Sequence, residues 1–482
     1  MTILQKILKF PKHAVTIPRL HAPSVPDLSL NDLSELRRVF DLNNYSSDPS
    51  GEDNSGPGIL KMLFARGLDI SAEKAERIFY PISLDILIQS GLLSIEKSQV
   101  KSLFQAQPYQ GLIFFSDFFE WEDSSDFVLP IGPAGHYLAN LTIRRKVRST
   151  LDLGCGCGIQ SLLAAKHSEH VTATDINPRA IALTRLNAAL NGINNIDILE
   201  GSYFEPVEGQ TFDLIVANLP YVITPEIHHV YRDVDQPGDL SLRKWLKEIP
   251  THLNEDGFAQ LLVNWVYRKN EAWWQPLQRT LADSHSDTWL IYTSTKKPDE
   301  YADIWIDQRT RSDQAKFKET KRAWLKWYKS NQIPQIALGA VVLRRRISKN
   351  NWFQAVQAKK NLEGSASDQF LRLFAVQDLL NSMENLDTLL DKILVPQDLE
   401  LSPVHPPEMP IVSQSRGLRL EAEIQPATLA ILHQLDGHSR LKTAIQAISS
   451  QPEFSAIDIQ SLILSDIKIL IQYGMVVIQT SD

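Results

Sequence analysis

Gly154-Cys155-Gly156-Cys157-Gly158 is the stretch of this 482-residue chain best suited to holding a ligand, because three glycines in five positions leave backbone bare. Glycine reaches φ > 0 without steric cost, and a bound group can lie directly against such a turn. Leu151-Asp152-Leu153 precedes it and an apolar run follows, so the expected order is strand, glycine turn, then a helix over Gln160 to Lys166. His170 to Asp175 reads as a second strand with a carboxylate at its carboxyl end. Asp175 lies 21 positions after Gly154, close to the ~20 at which a ribose-binding acid follows a nucleotide-binding turn. The chemistry implied is the binding of a nucleoside.

The glycine spacing narrows which nucleoside. A dinucleotide turn requires G-x-G-x-x-G, whose third glycine packs helix on strand. Counted from Gly154 that position is Ile159, and counted from Gly156 it is Ser161, so both frames fail. Asp152-x-Gly154-x-Gly156-x-Gly158 instead resembles motif I of class I S-adenosylmethionine (SAM) methyltransferases. The resemblance implies a Rossmann-like α/β core with a seven-stranded sheet and SAM as cofactor. SAM has no pyrophosphate, and its methionine ammonium suits an acid such as Asp152. By the same resemblance Asp152, Gly154, Cys155, Gly156, Gly158, Asp175, Ile176, Ser202 and Asn218 are the expected cofactor contacts. Ser202 stands where many relatives carry an acid near the adenine amine.

A third piece names a reaction. Phe212 to Ala217 is an apolar run of the kind found in buried parallel strands, and it stops at Asn218-Leu219-Pro220-Tyr221. Asn and Pro also favour ordinary turns, but this tetrapeptide stands at the expected strand end. It resembles the (Asp/Asn)-Pro-Pro-(Tyr/Phe) motif of enzymes that methylate planar nitrogens in bases or side-chain amides. The resemblance implies that the Asn218 carboxamide oxygen and the Leu219 carbonyl accept hydrogen bonds from the target NH₂. Pro220 would shape the turn and Tyr221 would stack on the flat group, which makes catalysis largely a matter of positioning. Leu219 departs from the commoner Pro, but its implied contact is through backbone. Asn-Leu-Pro-Tyr also occurs in ribosomal RNA adenine dimethyltransferases.

Composition sets limits. The chain carries a net charge of −8, which gives no global attraction for nucleic acid. Its two cysteines both lie in the glycine turn, so no disulfide framework is expected, and no nearby His or Cys completes a metal site. No stretch approaches the ~18 apolar residues of a membrane span, and Met1 to Phe10 lacks the pattern of a signal peptide. A cytoplasmic location is expected.

The supporting elements follow in order. Residues 1–25 read as an extended arm, Leu30 to Asn43 as a helix, and Asn44 to Gly58 as a loop. Ile59 to Phe104 suggests a small helical or winged unit acting as an accessory cap. Gly111 to Pro130 reads as strands entering the catalytic core, and Gly132 to Arg148 as a lid helix in which His136 is a capping or core residue. Asn177-Pro178 starts a helix that runs to about Leu190. Further strands are expected at Asp197–Glu200, Phe258–Trp265, Trp289–Thr293 and Ile336–Leu343. An insertion before the last of these interleaves Lys316, Lys318, Lys321, Arg322, Lys326 and Lys329 with aromatics. Phe317, Trp324 and Tyr328 fall at i, i+7 and i+11, the spacing of a buried helix face with a solvated basic back. Domains are expected at 1–110 (helical, accessory), 111–347 (methyltransferase), 348–410 (connector with a proline-rich linker over Pro396 to Pro410) and 411–482 (winged-helix-like).

The motifs resemble those of the small-domain methyltransferases that include release-factor glutamine N5- and ribosomal RNA guanine N2-methyltransferases. Gly154 to Gln160, Phe204 to Val207, Tyr231 to Asp233, Leu261 to Trp265 and Gly339 to Arg345 also resemble a bacterial family with a helical N-terminal region and a winged-helix-like tail. That tail is similar to the leader-peptide-binding domains of modified-peptide pathways. The expected function is transfer of a methyl group from SAM to a planar nitrogen, an amide or amine in a protein or peptide. An RNA base amine is the alternative acceptor, and a SAM-binding protein without turnover the alternative class.

Overall fold

Alternating apolar residues that bury both faces of a strand call for layers of helix on either side. Strand β1 (Val147–Leu153) is flanked by β2 (Ser168–Asp175) and β4 (Phe212–Ala217), and beyond β2 lies β3 (Ile196–Glu200). On the other side follow β5 (Leu253–Val266), β7 (Ile336–Arg345), β6 (Ser286–Lys296) and β8 (Phe353–Gln357), giving the order β8-β6-β7-β5-β4-β1-β2-β3. β1, β2, β4 and β5 pair in parallel, while β7 runs antiparallel to β5 and β6. The expected class I sheet is thus present with one more strand than the seven foreseen. β8 pairs in parallel with β6, Leu290 opposite Ala355.

This computed structural model describes residues 22–46, 55–225, 232–233, 238–306, 313–347, 350–401, 409–451, 454 and 459–479. Most of the expected N-terminal arm, part of the Asn44–Gly58 loop, Tyr231 and part of the proline-rich stretch fall outside them. No helix among the described residues is long and apolar enough to cross a membrane.

The described residues form two units. One holds those up to Ile131 with Gly156–Gly158 and Asp175–Asn194; the other holds Gly132–Cys155, Ile159–Thr174 and those from Asn195 onward.

In the first unit the helix Leu30–Leu42 buries Leu33, Leu36, Val39 and Phe40, and the Ser29 hydroxyl caps it by accepting from the Asp32 N–H at 3.1 Å. Phe40, Phe64, Phe79 and Phe115 interlock with tilted or edge-on rings. The region expected to be helical also holds four strands, Ile70–Ser71, Leu93–Glu96, Gln99–Ser102 and Gln105–Tyr109, and a fifth, Leu112–Ser116, lies where strands were expected. The hairpin between the second and third turns on Lys97 and Ser98, both at φ > 0. That conformation is usually signalled by Asn or Gly, and neither residue stands there.

Helix α3 (Pro178–Leu190) belongs to this unit and completes it in place of a strand. The Asn187 carboxamide bonds both the N–H and the carbonyl of Phe115, at 2.7 and 2.9 Å. Asn191, just past the helix, does the same for Ile113 at 2.9 and 2.7 Å. Two carboxamides four residues apart thereby satisfy backbone groups that an edge strand leaves open. Arg179 in the first turn of α3 grips buried Asp117 through Nε at 3.0 Å and Nη2 at 2.6 Å.

In the second unit one face of the sheet carries Leu214, Val216, Phe258, Leu262, Trp289, Ile291, Ala340 and Val342. Helix α1 (Pro133–Leu141) packs there, its end tied to β5 where Gln260 bonds the Ile143 N–H at 2.6 Å and the Leu141 carbonyl at 2.7 Å. The same core continues through the helix Ser367–Ser382 into the C-terminal helices Pro426–Leu432, Leu441–Ser449 and Ile459–Gln472. It therefore crosses the cuts expected at 348 and 410. Two short strands, Leu394–Pro396 and Leu399–Leu401, lie where a connector was expected. Leu394–Pro396 pairs with the closing strand Val476–Ile478, while Leu399–Leu401 joins a separate sheet with Ile411–Gln414 and Glu421–Glu423. The opposite face of the main sheet is covered by helices α4 (Leu240–Glu248) and α5 (Gln275–Leu281).

The Asp117–Arg179 pair gives the first testable outcome. Removing one partner of a buried ion pair leaves an uncompensated charge, so Asp117→Ala is expected to cost about 3–5 kcal/mol, read as a lower urea midpoint. Asp117→Ala combined with Arg179→Leu should recover much of that loss. A double variant no more stable than Asp117→Ala would show that the charge is not the source.

Candidate functional site

Parallel register places the expected residues at neighbouring strand ends. Leu153 is paired with Thr174 of β2 and with Ala217 of β4. Gly154, Asp175 and Asn218 are the next residues of those three strands. The carbonyl of Thr174 accepts from the N–H groups of Gly154 and Cys155 at 2.8 and 3.0 Å, which fixes how the chain leaves β1.

Asp152 is almost wholly buried, and its Oδ2 accepts from the Ser161 N–H at 2.9 Å and from the Ser161 hydroxyl. Its carboxylate thus holds the first turn of helix α2 (Ile159–Ala164), where negative charge complements the helix dipole. Gln160 of that turn reaches back to the Gly135 carbonyl of α1 at 3.0 Å. Gly154 sits at φ +74°, and a Cβ there would meet Leu219 Cδ2 at 3.5 Å. Motif turn and tetrapeptide are therefore in van der Waals reach.

In the first unit Gly156 has φ +58°, Gly158 φ +86°, and a Cβ on Gly156 would meet nothing within 4 Å. Asp175 is braced here by backbone: Oδ2 accepts from the Gly156 N–H and Oδ1 from the Asn177 N–H, both at 2.9 Å. Burial pushes the Asp175 pKa upward, against the pull of these N–H groups. Ile176 follows it in the chain, and Asn177 caps α3 by accepting from the Arg179 N–H at 2.9 Å. The carbonyls of Gly156 and Cys157 are held by Thr184 and Asn187 of α3 at 3.0 and 2.9 Å. Cys155 and Cys157 are buried and form no disulfide.

Ser202 lies just past β3, its N–H donating to Glu205 Oε2 at 3.3 Å. Burial lowers the pKa of His136 in α1.

The tetrapeptide is the most distinctive part. Asn218 Oδ1 is buried, and among the described residues no donor reaches it. Tyr221 is half-buried, and burial of its hydroxyl pushes the pKa up to about 12, so the side chain stays neutral near pH 7. The chain beyond is clamped at Ile223: its N–H donates to Tyr301 Oη at 3.2 Å, and its carbonyl accepts from Tyr328 Oη at 2.9 Å. Both tyrosines come from the insertion between β6 and β7, helices α6 (Pro298–Trp305) and α7 (Gln314–Ser330). Helix α7 buries Trp324 and Tyr328 as its spacing predicts, while Phe317, expected on the same face, is only half-buried and Lys321 pairs with Asp303 at 2.5 Å.

Sequence reasoning passed over α6. Tyr301 is fully buried and bonds Asn264 of β5 at 2.7 Å, and Trp305 lies edge-on to Tyr221 with ring centroids 6.3 Å apart. The signal was there in Lys297-Pro298-Asp299-Glu300, a helix start, followed by aromatics at i and i+4.

The comparisons agree with this geometry. Residues 134–234 match the methyltransferase small domain family. A release factor glutamine methyltransferase of Aquifex aeolicus is 34% identical over 131 residues, 25% of this chain and 47% of the relative. A ribosomal protein uL3 glutamine methyltransferase of Xanthomonas campestris is 32% identical over 125 residues, 23% of this chain and 41% of the relative. A ribosomal protein L11 methyltransferase of Lactobacillus johnsonii is 30% identical over 156 residues, 29% and 44%. The chain spans about half the length of the curated relatives it matches. Among solved structures, the ribosomal protein L11 methylase of Lactobacillus delbrueckii subsp. bulgaricus aligns with a TM-score of 0.25 at 20% identity, covering 44% of this chain and 77% of that one. The glycine turn, the acid-ended strand and the tetrapeptide all fall within the matched segment, and this protein therefore carries a methyltransferase small domain set within a longer chain.

Proposed function

We propose that this protein is a SAM-dependent methyltransferase whose acceptor is a planar nitrogen, an amide or amine side chain of a protein or peptide. The observation that carries this reading is Asn218 Oδ1, a buried acceptor without a donor at the end of β4. Buried polar atoms are nearly always paired, so an unpaired one at a strand end fits an N–H brought by a ligand. Relatives whose names print glutamine methyltransferases of release factors and a ribosomal protein support a protein acceptor.

The residues present suit SAM. Gly154, Gly156 and Gly158 offer bare backbone at positive φ, and the space beside Gly156 is open. Asp175 would hold ribose hydroxyls with the lone pairs left by its two N–H partners, with Ile176 beside it in the chain. Cys155 lends its backbone to the turn. Asp152 acts by fixing the start of α2, and so the shape of the turn. When bound, SAM supplies an electrophilic methyl group on a sulfonium.

On the acceptor side, Asn218 Oδ1 and the Leu219 carbonyl each take one N–H of the target nitrogen. That leaves the nitrogen's lone pair facing away from both. Pro220 sets the turn, and the half-buried Tyr221 would give the flat group a ring to stack on. No proton-accepting side chain is required beyond solvent, and the rate gain comes from orientation.

Tritiated-methyl transfer from SAM into cell extract tests the acceptor directly. Label that is lost on protease treatment and survives RNase is expected; label lost to RNase would move the assignment to an RNA base. Asp175→Ala removes charge-assisted hydrogen bonds worth about 1.5–3 kcal/mol each. SAM affinity by calorimetry should therefore fall by at least about tenfold, and unchanged affinity would remove Asp175 from the cofactor site. Asn218→Ala should lose turnover by roughly 10²-fold, the scale on which misplaced reactants lose rate, while SAM still binds. Tyr221→Phe should be mild, because stacking needs the ring alone. Full activity in Asn218→Ala would end the planar-nitrogen reading.

A further inference from the structure

The α6–α7 insertion packs against the tetrapeptide and the chain that follows it. Its tyrosines fix both backbone groups of Ile223, and Trp305, the last residue of α6, meets Tyr221 edge-on at 78°. The Trp305 ring is pinned from further sides: Tyr301 lies 6.1 Å away, and the Arg232 guanidinium sits 6.0 Å from its centroid while Arg232 Nε holds Asp233 at 2.8 Å. None of these neighbours takes the indole N–H. Trp305 Nε1 is buried, and among the described residues it has no acceptor.

Two complementary orphans thus stand in different elements that meet through Tyr221, which lies three residues after Asn218 and edge-on to Trp305. Asn218 Oδ1 is an acceptor without a donor, and Trp305 Nε1 is a donor without an acceptor. The indole nitrogens of Trp121 and Trp289 are also buried and unpaired; what sets Trp305 apart is its ring contact with Tyr221.

We propose that Trp305 is a specificity-determining residue that donates its indole N–H to the oxygen of a side-chain carboxamide whose nitrogen Asn218 holds. The proposal rests on the methyltransferase reading above and adds the second half of the recognition. A primary carboxamide carries an N–H donor and a C=O acceptor in one plane, and so satisfies both buried atoms at once. An alkylamine satisfies Asn218 and leaves Trp305 bare. Sites built around a buried hydrogen bond reject ligands that cannot make it, so the insertion would select amides over amines. The acceptor nitrogen would take the methyl group as the sulfonium C–S bond breaks, leaving S-adenosylhomocysteine as a neutral thioether, and would shed one proton to water. The carboxamide oxygen would stay hydrogen-bonded throughout, which keeps the group in the plane set by Tyr221.

The test separates the N–H from the ring. Trp305→Phe keeps an aromatic ring against Tyr221 and removes the donor, while Trp305→Leu removes both. In the full chain, both variants are expected to bind SAM with wild-type affinity by calorimetry. Both should lose roughly 10- to 100-fold in kcat/KM for tritium transfer into the protease-sensitive fraction of extract, a hydrogen-bond and positioning loss. Wild-type transfer by Trp305→Phe with loss only in Trp305→Leu would show that Trp305 merely packs, and would overturn the proposal.

A second measurement needs no variant activity. In wild-type protein with S-adenosylhomocysteine, the Trp305 indole ¹⁵N–H resonance, assigned by its absence in Trp305→Phe or Trp305→Tyr, should move downfield with N-acetylglutamine methylamide. It should stay in place with N-acetyllysine methylamide. A resonance that neither probe moves, or that both move alike, would equally overturn the assignment. If wild-type protein labels no protein at all, the acceptor reading itself fails; if it labels protein and Trp305→Phe matches it, only the role of Trp305 falls.

Discussion

The pairing of Leu153 with Thr174 on one side and with Ala217 on the other is the constraint on which the chemistry depends. Parallel strands cannot shift by one residue without turning every side chain to the opposite layer. Both faces of β4 are buried, Leu214 and Val216 on one and Ile215 and Ala217 on the other, so such a slip would only exchange packed sets of different shape. The register is therefore held by packing over the full length of the sheet. Because β1 has parallel neighbours on both sides, the chain runs off in opposite directions from its carboxyl end, the place where open α/β sheets bind ligands.

That edge is then stiffened from several directions. Asp152 ties β1 to the start of α2, and the Thr174 carbonyl ties β2 to the beginning of the turn. Past the tetrapeptide the chain makes an isolated parallel bridge from Val222 to Asp233, and tyrosine hydroxyls of the insertion hold Ile223 in place of a longer ladder. A loop so held loses little more freedom when a ligand arrives, which is what a mechanism based on positioning requires.

Much of this was legible because it depends on local chemistry. Glycines at Gly154, Gly156 and Gly158 mark positive φ, and the apolar runs ending at Leu153, Asp175 and Ala217 have a strand's period. The face of α7 that buries Trp324 and Tyr328 follows from helical spacing alone. What escaped has physical reasons. The hairpin at Lys97-Ser98 uses a turn without its usual residues, and β8 is only five residues long and pairs to β6, itself distant in sequence. The shared core that joins the sheet to the C-terminal helices is a tertiary fact with no local signature. Asp152 was legible as important, but its bond to Ser161 was not, since nothing in sequence says which side of a strand end a carboxylate will serve.

The acceptor side of the site is built from groups that stay neutral. Asn218 has no proton to gain or lose, Trp305 is a donor at every ordinary pH, and burial carries the Tyr221 hydroxyl to about 12. A carboxylate in place of Asn218 would accept the same hydrogen bond, but its charge would also draw the proton off and fix the nitrogen to itself. A neutral carboxamide holds direction without competing for the lone pair. Charge is kept instead to Asp175, where burial raises the pKa and two backbone N–H groups oppose that rise. Asp175 is thus a charged, braced group suited to hydroxyls, and under the proposed reading Asn218 is an uncharged one suited to a nitrogen that must remain a nucleophile.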